Sequence, residues 1–445
     1  MNIKAILAAS IVVAASAAAM AVCDIGLELD KKENWTADPI EFNIDHKEAG
    51  FRFAGQNRDC CVSMGEGKVE FKGIPVAETR VYFADGAIRR TEISVYNKGD
   101  LEPITKDEFL SLIDRVRKQV NPEGAKAPEA LKEKLQGGAY RRTQRWEKTF
   151  PAAEMTWGWK EEEQFGRKEV RPEFIRLTLT GVADAASARK ATAGRPRQTA
   201  KGSRTIRENV QKNANGDVYI ANVPMVNQGQ KGYCAAATSE RVLRYYGLDV
   251  DEHEIAQLAG TSAQGGTEAG AMVAAVTKVG NKMGLKKEDV IAAQSGTTWE
   301  QSDFYKMLQL YNQAAKAAKE PQIDWHEYES GLSINVGKMM EAMKAKVLKQ
   351  ARAKLTGPQK RFHDEIRKQV NAGVPLFWSV TLGFYPEPEI PQAMGGHMRL
   401  VIGYNDKTKE LLYTDSWGAG HELKRMPEDW AWTITTCMIF LRPKQ

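Results

Sequence analysis

The sequence predicts an α+β protein built as two folded regions joined by a basic segment, and three observations carry that expectation. Residues 24 to about 182 alternate apolar and polar side chains in short runs; residues 183–216 are rich in Ala, Lys, Arg, Ser, Gly and Asn with almost no apolar periodicity; residues 217–445 open with helix-spaced apolar positions and turn to strands after Pro375. At 445 residues, 42% hydrophobic and 27% charged, the chain has the composition of an ordinary globular protein whose cores need no disulfide staples.

Residues 1–21 read as an export signal. Lys4 supplies the positive start, Ala5 to Ala18 the apolar stretch, and Ala19-Met20-Ala21 the small-residue cleavage pattern, so cleavage is expected before Val22 and the mature protein in a periplasm or outside the cell. Val22 is too bulky for the residue that precedes a lipid-bearing cysteine, which argues against lipid attachment at Cys23. No later stretch is long and apolar enough to span a bilayer, so no integral membrane segment is expected after signal removal.

Residues 22–182 are expected to form an N-terminal α+β accessory domain or pro-domain. Val69 to Phe71, Thr79 to Phe83 and Ile88 to Tyr96 alternate as strands, and Asp85-Gly86 sits between the last two as a hairpin turn. Thr105 with Glu108 forms a capping box for a helix that lines up Phe109, Leu112, Ile113, Val116 and Val120. Further strands are expected at Met155 to Trp159 and Phe174 to Thr180, which makes an antiparallel sheet with one covering helix.

Residues 183–216 are expected to be an exposed, flexible linker. Between Ser187 and Lys212, eight basic residues face one acidic residue, a net +7 that accounts for the whole chain's +6. Neither folded region is therefore basic, and a nucleic-acid partner is not expected. A sharper reading makes this segment the cutting site of an activating trypsin-like protease, with the first region as an inhibitory pro-segment.

The second region, 217–445, is read as helices at Cys234 to Tyr246, Glu252 to Leu258, a segment after Thr267 carrying Met272, Val273, Val276 and Val279, Trp299 to Ala318, Lys338 to Lys354 and Gln359 to Asn371. Strands follow Pro375, among them Met398 to Tyr404, Leu411 to Thr414 and Thr433 to Leu441.

Chemistry concentrates at two places in this region. Cys234 begins a helix, where the positive end of the helix dipole favours a thiolate over a thiol of pKa roughly 8.5. Gln228 lies six residues upstream, and Gly229 and Gly232 let the backbone turn so that its carboxamide can donate to a developing oxyanion. Far downstream, Gly395-Gly396-His397 leads into one strand, and the next ends at Asp415-Ser416-Trp417-Gly418. Pairing of those strands would bring His397, as the base, to Asp415, as the group that orients it. Gly396 leaves room for a ligand, and Trp417 would cover the pair from water. His421 is expected to be solvated. Five cysteines make an odd count that suits Cys234 as a free thiol; pairing among Cys23, Cys60, Cys61 and Cys437 cannot be read from spacing, although a bridge from Cys23 to one of the adjacent pair is compatible with it. No metal-ligand spacing is present, and no metal or organic cofactor is expected.

These residues resemble the papain-like cysteine peptidases: Asn227-Gln228-Gly229 followed by Cys234, a later His397 before a strand ending Gly403-Tyr404, then Ser416-Trp417-Gly418. The resemblance covers roughly Val218 to the C-terminus. It implies a papain-like domain with a helical half and an antiparallel β half, with Gln228 in the oxyanion hole, Cys234 as nucleophile, His397 as base and Asp415 as orienter. The acid at 415, where papain has Asn, is similar to the bacterial double-glycine peptidases that trim bacteriocin leaders. Lys231 and Ala235 replace the cysteine and tryptophan that papain-like enzymes commonly carry beside the nucleophile. The implied partner is a peptide or protein substrate. An amidase or cell-wall peptide hydrolase on the same scaffold, and an inactive peptidase-like binding protein, remain as alternatives.

Overall fold

The structure, a computed structural model, describes residues 22–444 apart from 56–57, 65–67, 99–100, 122, 124, 135–138, 165–166, 182–202, 227, 229–232, 249–254, 257–258, 260–268, 283, 292–297, 331–332, 389–393 and 419. Two sheets organise it, each with its own hydrophobic core, and the fold is α+β.

The first sheet has eight strands in the spatial order Arg52–Phe53, Cys60–Ser63, Glu78–Ala84, Ala87–Asn97, Arg167–Thr180, Ala152–Gln164, Ala139–Trp146 and Leu131–Lys134, all antiparallel. Its central hairpin turns on Asp85 (φ 52°) and Gly86 (φ 72°), the left-handed pair that a two-residue turn requires. The helix Lys106–Val120 starts with the expected capping box and lays Phe109, Ile113 and Val116 into the core beneath the sheet. The sequence reading missed the helices Ile25–Leu29 and Pro39–Asp45, which bring Ile25, Leu29 and Phe42 to the same core.

The second sheet runs Val210–Lys212, Asp217–Ile220, Gly395–Asn405, Leu376–Leu382, Thr435–Pro443 and Leu285–Ile291, with Glu410–Thr414 and Lys424–Pro427 branching from Gly395–Asn405. Helices Cys234–Tyr245, Ala269–Lys282, Asp303–Ala318, Val336–Ala342, Ala345–Ala353 and Thr356–Asn371 precede most of these strands in the chain. The expected order of a helical half before a β half is therefore present.

Several expectations need correction. The linker expected over 183–216 ends early: Ser203–Arg207 is a helix, Val210–Lys212 pairs with Asp217–Ile220, and Ile206 is buried in the second core. Only its part over 183–202 lies outside the described residues, and the expected cleavage segment falls mostly there. The helix expected over Glu252 to Leu258 also lies largely outside them. The stretch Lys338 to Lys354 is two helices, broken where the Lys344 amide donates to the Tyr311 hydroxyl at 2.9 Å. Thr433 belongs to a helix, Glu428–Ile434, and the final strand begins at Thr435. None of the five cysteines is in a disulfide. Cys60 and Cys61 are neighbours on one strand and so face opposite sides of it; Cys61 enters the first core and Cys60 a small separate cluster.

One glycine fixes how the helical half meets the second sheet. Gly373, just past the helix Thr356–Asn371, has φ +76°, and a Cβ there would lie 2.2 Å from the backbone oxygen of Ile206. The Tyr245 hydroxyl sits between the same two backbones, 2.9 Å from the Gly373 carbonyl oxygen and 3.2 Å from that of Ile206. Gly373→Ala adds a left-handed penalty and a backbone overlap, so it is expected to lower the unfolding free energy by about 2 kcal/mol or more, measured by chemical denaturation followed by circular dichroism.

Candidate active site

Strand pairing assembles the site. Gly395–Asn405 and Glu410–Thr414 are antiparallel neighbours with Leu400 opposite Thr414, which sets His397 near Asp415 just past the strand's end. The His397 Nε2–H donates to Asp415 Oδ1 at 2.8 Å, with both side chains buried. The other ring nitrogen is left for Cys234, and the ring and the sulfur are hydrogen-bonded.

Cys234 is the first residue of the helix Cys234–Tyr245, as expected, and is half-buried. Burial by itself pushes the thiol up, but the hydrogen bond and charge of His397, aided by the backbone amides of Met398 and Ala235, outweigh it and hold the thiol below its ordinary value. His397 moves the opposite way: burial disfavours its charge, yet Asp415 and the Cys234 sulfur raise it to about 9. Asp415 is held low, because Arg399 and His397 overcome the cost of its burial. With the imidazole raised to about 9 and the thiol held below its ordinary value, the shared proton rests on the ring and the sulfur carries the negative charge.

A set of residues that the sequence reading did not single out makes such a buried ion pair tolerable. Arg399, fully buried, donates through Nε to Asp415 Oδ1 at 3.1 Å and through Nη1 to Glu387 at 2.9 and 3.2 Å, while the Tyr413 hydroxyl donates to the same Glu387. Arg241 donates to the Asp415 carbonyl at 2.7 Å, to Thr414 Oγ1 at 2.6 Å and to the Pro224 carbonyl at 2.7 Å. Three cations (Arg241, Arg399, His397) thus stand beside three anions (Asp415, Glu387, the Cys234 thiolate) at the site, which offsets the cost of burying them.

Gln228 is brought to the same place by two bonds to one residue. Its amide donates to the Ser416 carbonyl at 2.8 Å, and the Ser416 hydroxyl donates to Gln228 Oε1 at 2.6 Å. The carboxamide oxygen is thus committed to Ser416. Trp417 lies flat on the His397 ring, with centroids 4.3 Å apart and planes 4° apart, and touches His421 edge-on at 5.6 Å. His421, expected to be a solvated bystander, accepts through its carbonyl from the Asp415 amide and from Thr414 Oγ1, both at 3.0 Å. A Cβ at Gly396 would meet nothing within 4 Å, consistent with open space beside His397. Gly232 lies outside the described residues.

The first region reaches this site through Tyr233, the residue before Cys234. Its buried hydroxyl donates to Asn97 Oδ1 at 2.8 Å, and Arg80 lies 3.5 Å from Glu240 on the same helix.

Comparison with known proteins finds a family likeness over part of the chain. Residues 296–438 match the Peptidase_C39 like family. The C39-like segment contains His397 and Asp415, while Gln228 and Cys234 lie before it in the chain and are joined to it by the contacts above. The match bears out the resemblance to the double-glycine branch of papain-like cysteine peptidases. Among solved structures, the peptidase domain of Streptococcus ComA, a bifunctional ABC transporter of a quorum-sensing pathway, is similar over 50% of this chain and 99% of its own, at 16% identity and a TM-score of 0.25. A double-glycine-motif protease of an AMS/PCAT transporter, solved with a leader peptide, covers 50% of this chain and 93% of its own at 15% identity and a TM-score of 0.23. Xylellain, a cysteine protease from Xylella fastidiosa, covers 56% and 92% at 10% identity and a TM-score of 0.26. Comparison with curated protein sequences gave no match.

The electrostatics predict a measurable thiol. The rate of Cys234 alkylation by iodoacetamide is expected to have its midpoint at a lower pH than that of an ordinary thiol, because a depressed thiol stays ionised above its lowered pKa. In His397→Ala only burial remains among the larger influences, so the midpoint of the rate-against-pH curve is expected to rise to or above the ordinary thiol range.

Proposed function

We propose that the protein is an exported cysteine peptidase that hydrolyses peptide bonds through Cys234, His397 and Asp415, with Gln228 as oxyanion donor. The observation that carries the reading is the unbroken buried chain from sulfur to imidazole to carboxylate, tied through Ser416 to the Gln228 carboxamide. The C39-like match supports the same chemistry and a peptide substrate. Export rests on the signal pattern of residues 1–21. Among the described residues no helix is long and apolar enough to cross a membrane.

In this mechanism the Cys234 thiolate attacks the substrate carbonyl carbon and forms a carbon–sulfur bond. The carbonyl electrons move to oxygen, where the Gln228 NH2 and the Cys234 backbone amide stabilise the charge. The intermediate collapses as His397 gives its Nδ1 proton to the departing amine, leaving a thioester. Water, deprotonated by His397, then releases the acid product and restores the thiolate. Asp415 holds the ring through Nε2–H at every step, and the stacked Trp417 keeps water from its face.

Digestion of a peptide library by wild type and Cys234→Ala tests the reading: cleavage is expected with the first and none with the second, and equal digestion by both overturns it. Gln228→Ala is expected to lower kcat by about 100- to 1000-fold. Ser416→Ala leaves the carboxamide present but untethered and should cost less. The pH profile of kcat/KM is expected to be bell-shaped. Its acid limb follows protonation of the Cys234 thiolate as pH falls below the depressed thiol pKa; its alkaline limb follows loss of the His397 proton as pH rises through about 9. Asp415→Asn removes the main support of the imidazolium, so the alkaline limb should move towards lower pH.

A further inference from the structure

A second cluster of reactive side chains lies in the first region, and the peptidase reading makes no use of it. Cys23, Glu28 and His46 each offer one donor atom, and the three atoms lie within 4.8 Å of one another. They are separated by 5 and 18 positions along the chain, so no ligand motif marks them in the sequence. Folding brings them together: Glu28 lies on the helix Ile25–Leu29 directly after Cys23, and His46 closes the helix Pro39–Asp45.

The His46 ring is fixed before any ligand arrives. Its Nδ1–H donates to the Phe42 carbonyl at 2.8 Å; the ring stacks on Phe42 at 4.0 Å and meets Phe51 edge-on at 5.7 Å. A backbone carbonyl on Nδ1 is the support that metal-binding histidines ordinarily have, since it selects the tautomer that leaves an Nε2 lone pair for the ion. Nε2–H here donates to the Glu28 carboxylate, with both oxygens at 2.9 Å, and a bound ion would take that proton's place; Cys23 Sγ is 4.0 Å from Glu28 Oε2.

We propose that Cys23, Glu28 and His46 form a binding site for a thiophilic divalent cation, zinc by preference. One sulfur, one imidazole nitrogen and one carboxylate oxygen is a donor set that zinc accepts and that calcium or magnesium does not seek. A tetrahedral zinc ion with bonds of about 2.0–2.3 Å sets neighbouring donors about 3.3–3.6 Å apart. The observed separations of 2.9 and 4.0 Å straddle that span, so small side-chain shifts suffice. All three residues are half-buried, which shelters the site and leaves a path to it. A bound ion would clamp the strand Cys23–Asp24, which pairs in parallel with Val69 and Glu70, to the helix ending at His46.

The test uses the full chain carrying Cys234→Ala, so that the other accessible thiol does not compete. Chelator-stripped protein is loaded with zinc, dialysed and assayed for metal by elemental mass spectrometry, with a parallel cobalt(II) titration. One zinc per chain is expected, with a thiolate-to-cobalt charge-transfer band in the near ultraviolet and a zinc-dependent rise in Tm. Cys23→Ser, a conservative change, and His46→Gln should each weaken zinc binding by about tenfold or more and leave the metal-free circular dichroism unchanged. Cys23→Ser should also abolish the band. Retention of no zinc, equal binding by both variants, or an intact mass showing Cys23 covalently blocked overturns the proposal, and in each case His46 and Glu28 are left as a plain ion pair. None of these readouts uses peptidase activity, so the site stands or falls apart from the proposed reaction.

Discussion

The hydrogen bond from His397 to Asp415 is the constraint on which the second region turns. It spans two neighbouring strands, so it exists only in one register of their pairing; a slip by a single residue would swing His397 to the other face of the sheet. It is also wholly buried, which means that its charges have to be matched locally. Arg399 and Arg241 do this from opposite sides, one bonded to the Asp415 side chain and the other to its carbonyl. The polar interior is thus a single network in which the reactive pair is one member.

That network explains which parts of the site could be read along the chain. Cys234, Gln228, His397 and Asp415 sit in short stretches whose neighbours betray them: glycines before the cysteine, glycines before the histidine, and Ser-Trp-Gly after the acid. Their supports carry no such mark. Arg399 lies within a run that reads as an apolar strand, and its role depends on Glu387, twelve positions upstream, and on Tyr413 across the sheet. Ser416 was visible only as a letter in a signature, and its grip on Gln228 is a contact between residues 188 apart. Long-range polar partners have no period, so periodicity cannot find them.

The same contrast runs through the fold. The Asp85-Gly86 hairpin and the Thr105–Glu108 capping box were legible because their chemistry is local and each residue type has one conformational reason to be there. Strands at sheet margins were not. Leu285–Ile291 holds two lysines, a glutamate and an aspartate and forms one end of the second sheet; Leu131–Lys134, fully exposed, forms one end of the first. Edge strands carry charges that keep other chains from pairing with them, and those charges erase the alternation by which a strand is recognised.

The Tyr233 hydroxyl bonded to Asn97 has a wider meaning than its 2.8 Å length suggests. Asn97 ends a strand at the middle of the first sheet, and Tyr233 is the peptide neighbour of Cys234. That bond ties the end of a central strand to a position one backbone unit from the sulfur. A chain shorn of its leading sheet would lose this mooring, so the seating of Cys234 belongs to both halves of the molecule jointly.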